Sequence, residues 1–445
     1  MRVLINLLSA VVIGFNLLLS PIRASSTIHY DPLVGSILME TQPDRWLNWI
    51  AALSGEKSVV TADGEGRILT RSSFVLFDPQ RKPSAFDYLK EELTQLGFVE
   101  GQDFKVHTYN FPYGDRYPEK NWKNLILTFP GSDPMLQNER VLMVAHLDSI
   151  SDEELTLAPG ADDNASGTAG LLEAAAVFRH YRFSRTINLI WFSGEELSRV
   201  GSEHFVADYA EWLPNIVGVI NLDMFAFDWD NDRCFEIHAG VLPGSQKLGG
   251  FFEEVIDIYH LDLTFDLIDD ETAYPFSDHK PFWDNSVPAV MVFENGFYQP
   301  EKTCKNADRN TTYHSISDTL TYINPDTGFS ILKSALSAVA HLAVPEEYCF
   351  SKILHVYGIS KSGFIFLNWE QMPTASAYQI WALEENQWVL WDTTSDTTSD
   401  TTWYSPDNGK HFQVVAISSS GCQSYPVKID FGSLEKNPLV EKANK

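Results

Sequence analysis

Thr186-Ile187-Asn188-Leu189-Ile190-Trp191-Phe192-Ser193-Gly194-Glu195-Glu196 opens with an apolar run and ends on two adjacent acids. A short run that is apolar at nearly every position is a strand buried on both faces, the kind found in parallel sheets covered by helices. The flanking sequence agrees. On one side lie the strand-like runs Phe104 to Phe111, Asn124 to Phe129 and Arg140 to Ala145, then helical spacing from Ala165 to Tyr181. On the other side Glu195 to Tyr209 reads as a helix and Ile216 to Leu222 as a strand. Ser245 to His260 reads as a helix, Val287 to Phe293 as a strand and Pro325 to Ala343 as a closing helix. This alternation predicts an α/β domain over residues 83–345, with a mainly parallel central sheet flanked by helices. A helix at Ala85 to Leu96 opens it, and residues 25–82 form a segment belonging to or packed on it.

His146, Asp162, Glu196, Asp223 and His314 are metal-capable residues spread over separate segments. His146, the Glu195-Glu196 pair and Asp223 fall at or just after the carboxyl ends of predicted strands, where open α/β sheets bind ligands. Two histidines and three carboxylates suit two zinc-like ions sharing a carboxylate. Asp148, two residues beyond His146 on the same strand face, is placed to hold the second imidazole nitrogen. Of the adjacent acids Glu195 and Glu196, one can bind metal while the other serves as general base. Each segment also has a plainer reading. Asp162 suits a helix N-cap, the acid pair a solvated helix start, and His314 an ordinary loop. Asp223 ends an apolar strand, where a carboxylate is costly unless paired or coordinated.

Together these segments, A-H-L-D-S, P-G-A-D-D-N-A-S-G, F-S-G-E-E, V-I-N-L-D-M and Y-H-S-I-S-D-T, resemble the di-zinc aminopeptidases of family M28 that include the bacterial leucyl aminopeptidases. The resemblance covers residues 83–344. It implies a zinc-exopeptidase-like fold and two zinc ions per chain. Asp162 would bridge them, His146 and Asp223 would complete one site, and Glu196 and His314 the other. Glu195 would be the general base for a metal-activated water. It also implies a cis peptide between Asp162 and Asp163, and Tyr274 as an oxyanion-stabilising residue. It makes His279 a helix-start residue rather than a ligand. Phe276 stands where some relatives have a cysteine, so that disulfide is expected to be absent. The implied activity is removal of the N-terminal residue from peptides with a free amine. A carboxypeptidase or dipeptidase with the same metals is the alternative within the class, and an inactive peptide-binding protein the alternative outside it. The paired Asp-Asp loop and complete ligand set disfavour a glutaminyl cyclase. Phe225, Phe227, Phe282 and Trp283 fit either an apolar pocket or the core.

The 445 residues leave room for more than one domain. The aromatic and β-branched segments Leu367-Asn368-Trp369, Tyr378 to Trp381 and Phe412 to Ile417 predict a small β-sandwich over residues 351–431. It resembles a fibronectin type III module and suggests contact with a surface or polymer. The D-T-T-S run at 392–402 reads as a solvated loop, and residues 432–445 as a tail. A net charge of −28 argues against nucleic acid and anionic membranes as partners. Residues 1–24 have a cationic start, an apolar stretch and a small-residue cleavage site at Ile22-Arg23-Ala24. They read as a secretory signal, so an exported protein is expected, and no later segment is apolar and long enough to span a membrane. Export permits disulfides among Cys234, Cys304, Cys349 and Cys422, with Cys349–Cys422 favoured because the two flank the C-terminal module.

Overall fold

The computed structural model describes residues 28–62, 64–112, 121–296, 303–304, 306–345, 357–361, 364–370, 375–384, 387–394, 400–406, 412–417 and 427–429. Eight strands form the central sheet: β1 (Phe104–Asn110), β2 (Asn121–Phe129), β3 (Arg140–His146), β4 (Thr186–Phe192), β5 (Ile216–Leu222), β6 (Cys234–His238), β7 (Thr264–Ile268) and β8 (Ala289–Glu294). Their spatial order is β1-β2-β4-β3-β5-β8-β6-β7. The central strands β4, β3, β5 and β8 are parallel neighbours, so their carboxyl ends share one edge. Antiparallel pairing begins on either side, at β2–β4 and at β8–β6.

Helices cover both faces. They are α1 (Pro32–Glu40), α2 (Pro43–Leu53), α3 (Ala85–Gln95), α4 (Gly167–Phe178), α5 (Val200–Asp208), α6 (Pro243–Tyr259), α7 (Lys280–Asp284) and α8 (Pro325–Ala343). The two-residue period of a strand divides the core. Val141, Met143 and Ala145 of β3 pack with α1 to α4, α6 and α8. Leu142 and Val144 pack on the opposite face with Phe205 of α5 and Phe282. Phe225 and Phe282 are fully buried and Phe227 nearly so, which makes them packing residues rather than pocket lining. In the N-terminal segment, Arg45 of α2 pairs with the buried Glu173 of α4 at 2.6 Å, and Trp46 Nε1 donates to Ser166 O.

The helix read from Glu195 begins only at Val200. Ser198 and Arg199 adopt left-handed φ values of 71° and 66°, which turn the chain and leave the two acids in a loop. Strands β6 and β7 were not legible as strands. Both are short, and buried Glu236, His238 and Asp266 interrupt their apolar pattern.

Toward the C-terminus are β9 (Tyr357–Lys361), β10 (Phe364–Glu370), β11 (Ala377–Glu384), β12 (Gln387–Thr394), β13 (Asp400–Pro406), β14 (Phe412–Ile417) and β15 (Val427–Ile429). They form antiparallel sheets ordered β9-β10-β13 and β12-β11-β14-β15. Leu367 and Trp369 of one sheet share a core with Tyr378, Ile380, Phe412 and Val414 of the other, a small β-sandwich. The D-T-T-S run starts in β12 and ends in β13, and its residues 395–399 lie outside the described residues. So do residues 1–24 and 432–445, and Cys349 and Cys422. Cys234 and Cys304 form a disulfide.

Candidate active site

Four segments leave the carboxyl edge of the parallel strands and converge. His146 ends β3, Glu195 and Glu196 follow β4, and Asp223 follows β5. The fourth segment is the turn Ala161–Ser166 that leads into α4. His314 reaches the same place from the loop before α8.

The carboxylate at the centre belongs to Asp163. Its Oδ1 lies 3.3 Å from His146 Nε2, and its Oδ2 lies 3.1 Å from His314 Nε2. His146 Nε2 is also 3.2 Å from Asp223 Oδ1, and His314 Nε2 is 3.2 Å from Glu196 Oε2. Each histidine is thus shared between Asp163 and a second acid. The structure corrects the assignment of Asp162 to this position. Asp162 turns the other way, where its Oδ1 accepts from Ala226 N at 2.9 Å and its Oδ2 lies 3.5 Å from Asn310 Nδ2. The physical reason lies in the turn, whose backbone sends successive side chains to opposite sides. Asp163 and Asn164 have non-helical φ/ψ, and the cis peptide joins Asp163 to Asn164, one residue beyond the expected place.

The turn is held rigidly. Asp318 Oδ1 and Oδ2 accept from the main-chain N–H groups of Asp162 and Asp163 at 2.9 and 3.0 Å. Asn164 Nδ2 donates to Leu222 O at 2.8 Å, tying the turn to the end of β5. Gly160 has φ of 50°, and a Cβ there would stand 2.2 Å from Asp163 O, so only glycine fits. Beneath it the buried Arg71 donates to the carbonyls of Leu53, Leu147, Pro159 and Gly160. Burial lowers this guanidinium to about 10, opposed by the charges of Asp318 and Asp163. Arg71→Met is expected to lower stability to urea unfolding by at least about 3 kcal/mol, because buried carbonyls lose their donors.

Asp148 acts differently from the expectation. His146 Nδ1 contacts the main-chain oxygen of Asp148 at 3.0 Å, and the carboxylate lies farther, at 3.8 Å. That carboxylate instead accepts from Glu195 N at 3.3 Å, from Glu196 N at 3.2 Å and from Ser73 Oγ. It fixes the turn that presents both glutamates. Tyr274 lines the cavity, with its N–H donating to His238 Nδ1 at 2.9 Å. His279 precedes α7 and donates from Nε2 to Tyr274 O at 2.9 Å, away from the central cluster.

The protein's own charges set the proton affinities. Burial alone would lower His314, but its contacts with Asp163 and Glu196 outweigh it and raise the imidazole to about 10. The same two histidines hold Asp163 well below the usual carboxylate range, against the effect of burial. Burial and the charge of Asp163 push Glu196 up to about 8. Glu195 rises well above the carboxylate range through burial, with Glu196, Asp278 and Asp223 adding to the shift and His146 opposing it.

The donor set fits metal. His146, Asp163 and Glu196 each offer an atom within 4.8 Å of the others. Glu196 Oε1 is buried with no hydrogen-bond partner, a costly arrangement unless a cation takes it. His146 and Asp223 with Asp163 would hold one ion, and His314 and Glu196 with Asp163 a second. The adjoining cavity, of about 250 Å³, is lined by Asp163, Glu195, Asp223, Glu294 and Asp308 and by Met224, Tyr274, Phe276, Phe293 and Arg309, among others. Arg71, Glu294, Asn310 and Asp318 join the site without having been expected from the sequence. Only Asp318 carried a signal, as the aspartate four residues beyond His314.

Residues 124–339 match the model of peptidase family M28. A probable leucine aminopeptidase of Trichophyton verrucosum is 30% identical over 229 residues, covering 50% of this chain and 57% of that protein. Leucine aminopeptidase 1 of Trichophyton rubrum is 29% identical over 233 residues, 49% of this chain and 58% of that protein. The chain thus matches little more than half the length of these relatives. Among solved structures, the LapA aminopeptidase of Legionella pneumophila has a TM-score of 0.53 at 22% identity. That match covers 72% of this chain and 77% of the other. The glutaminyl cyclase of an Acidobacteriales bacterium has a TM-score of 0.51 at 16% identity, over 72% and 98%. These two likenesses concern the fold.

Proposed function

Since this chain carries a peptidase family M28 domain over residues 124–339, we propose that it is an exported di-zinc aminopeptidase acting on peptides with a free N-terminus. One observation carries the reading: the Asp163 carboxylate stands between two histidines, each facing a further acid. When bound there, zinc would polarise the peptide carbonyl and make water a nucleophile at neutral pH.

The chain's own residues supply the remainder. Glu195 opens into the cavity on a turn fixed by Asp148, and its raised proton affinity suits it to take a proton from water and pass it to the leaving amine. Asp223, Glu195 and Glu294 of the cavity wall favour a cationic substrate amine. Met224, Phe276 and Phe293 present an apolar surface to the first side chain. Tyr274 stays protonated, because burial and the charges of Asp223, Glu195 and Asp163 raise its hydroxyl, so it can donate to a developing oxyanion. Tyr274→Phe is expected to lower kcat about 10- to 100-fold with KM within about threefold, a milder loss than that of a main oxyanion donor. Steady-state kinetics on leucine p-nitroanilide measure both.

Export is supported by the leader-like residues 1–24 and by the Cys234–Cys304 disulfide, which suits an oxidising compartment. Among the described residues no helix is long and apolar enough to cross a membrane. The C-terminal sandwich is read as a fibronectin type III-like module for surface or polymer contact.

A panel of aminoacyl amides and their N-acetylated counterparts tests the activity. Hydrolysis of the free-amine series alone is expected, lost on chelation and restored by zinc. Cleavage of N-blocked peptides from the carboxyl end would establish the carboxypeptidase alternative. Peptide binding without turnover in zinc-loaded protein would establish the inactive one.

A further inference from the structure

Asp228-Trp229-Asp230-Asn231-Asp232 follows β5 and precedes β6, where no part of the proposed chemistry uses it. Asp308 comes from a distant segment and also lines the cavity of the proposed active site. One carboxylate oxygen from each of Asp228, Asp230, Asp232 and Asp308 lies within 4.8 Å of those of the other three. Arg233, which follows Asp232, turns away to Asp262 O and Ser330.

Clustered acids alone carry little, but two of these are buried and incompletely satisfied. Asp228 is 6% exposed and Asp308 4%. Asp228 Oδ2 accepts from Thr327 Oγ1 at 2.5 Å and from Asn324 Nδ2 at 3.2 Å, and Asp308 Oδ1 accepts from Trp229 N at 3.0 Å. The second oxygen of each, Asp228 Oδ1 and Asp308 Oδ2, is buried with no hydrogen-bond partner. Two orphaned carboxylate oxygens from separate segments in one acidic knot call for a cation.

The donor chemistry selects the cation. All four donors are carboxylates, with no imidazole or thiolate, which favours a hard ion over zinc. Three come from alternate positions of a turning loop, as in calcium-binding loops. Magnesium sites commonly use one or two carboxylates and retain water. We propose that Asp228, Asp230, Asp232 and Asp308 form a calcium site distinct from the zinc centre.

Its place in the fold suggests what calcium does. The Cys234–Cys304 disulfide staples the same two segments. Asp308 N donates to Asn295 O at 2.6 Å. Two residues on, Asn310 contacts Glu294 and Asp162, and the segment continues to His314. Calcium would fasten the segment that carries His314 against the sheet. This consequence rests on the zinc-centre reading, whereas the calcium site itself does not.

Trp229 lies between two of the ligands and is 71% exposed, which provides a local optical reporter. The full chain, loaded with stoichiometric zinc in otherwise metal-free buffer, is titrated with terbium under tryptophan excitation. Saturable terbium emission is expected, displaced by calcium and reduced at least about tenfold in the D230N/D232N variant. Trp229→Phe should reduce the emission while leaving calcium binding intact. Calcium at up to about 10 mM, above the affinity range of weak extracellular modules, should raise the unfolding midpoint of the wild type and of W229F. It should not raise that of D230N/D232N, whose zinc content stays at the wild-type value. The proposal is overturned if D230N/D232N retains the emission or the midpoint rise, or if calcium shifts no midpoint. Displacement of terbium by magnesium as effectively as by calcium would overturn the calcium assignment. None of these readouts depends on catalysis, so failure of the aminopeptidase reading would appear separately, in the substrate panel.

Discussion

Glu195→Gln is expected to lower kcat by about 10²- to 10⁴-fold, the usual contribution of a positioned general base, while zinc content is unchanged. The amide keeps the volume and reach of the side chain and removes its ability to accept a proton. The main-chain N–H still donates to Asp148 Oδ1, so the turn that presents both glutamates is retained. Glu196 keeps its contact with His314, and His146 its contacts with Asp163 and Asp223. The two-ion donor set is therefore intact in the variant. Steady-state kinetics on a leucyl amide and metal analysis of the same preparation give the result. Substantial residual turnover with zinc bound would remove Glu195 from the role of base. Loss of zinc with the rate would make it a ligand. Glu196→Gln provides the contrast, since it removes a carboxylate charge facing His314 and is expected to lose metal and activity together.

The parallel centre of the fold was legible because its strands are apolar at nearly every position. Thr186–Phe192 and Ile216–Leu222 coincide with the observed β4 and β5. The last two strands of the sheet, β6 and β7, were not, since buried Glu236, His238 and Asp266 break the apolar signal that marks a strand. The site was legible as a set of residue types at strand ends, because a buried carboxylate or imidazole beside an apolar run is costly without a purpose. What holds it was hidden. Arg71 joins carbonyls 76 and 89 residues away through groups present in every residue, and no pattern announces such contacts. The direction of the turn at Glu195 was also hidden, because it depends on left-handed φ at Ser198 and Arg199, two residues that seldom adopt it.

The choice between two adjacent aspartates gives the second large effect. Asp163→Asn is expected to lower zinc affinity and kcat by well over about 100-fold, more than the 10- to 100-fold typical of groups that only orient a ligand. Among the described residues its carboxylate is the group in contact with both His146 and His314. An amide there lacks the charge that would offset two cations, and its nitrogen cannot serve as a ligand. Asp162→Asn is expected to keep zinc, with kcat within about tenfold of the wild type. The carboxamide oxygen can still accept from Ala226 N, and the main-chain N–H at 162 still reaches Asp318. Burial already raises the proton affinity of Asp162, against the pull of its hydrogen bonds with Ala226 and Glu294. Metal analysis and kinetics of the two variants side by side decide the matter. Zinc lost from Asp162→Asn and retained by Asp163→Asn would return the shared position to Asp162, and would require the turn to send its side chains the opposite way.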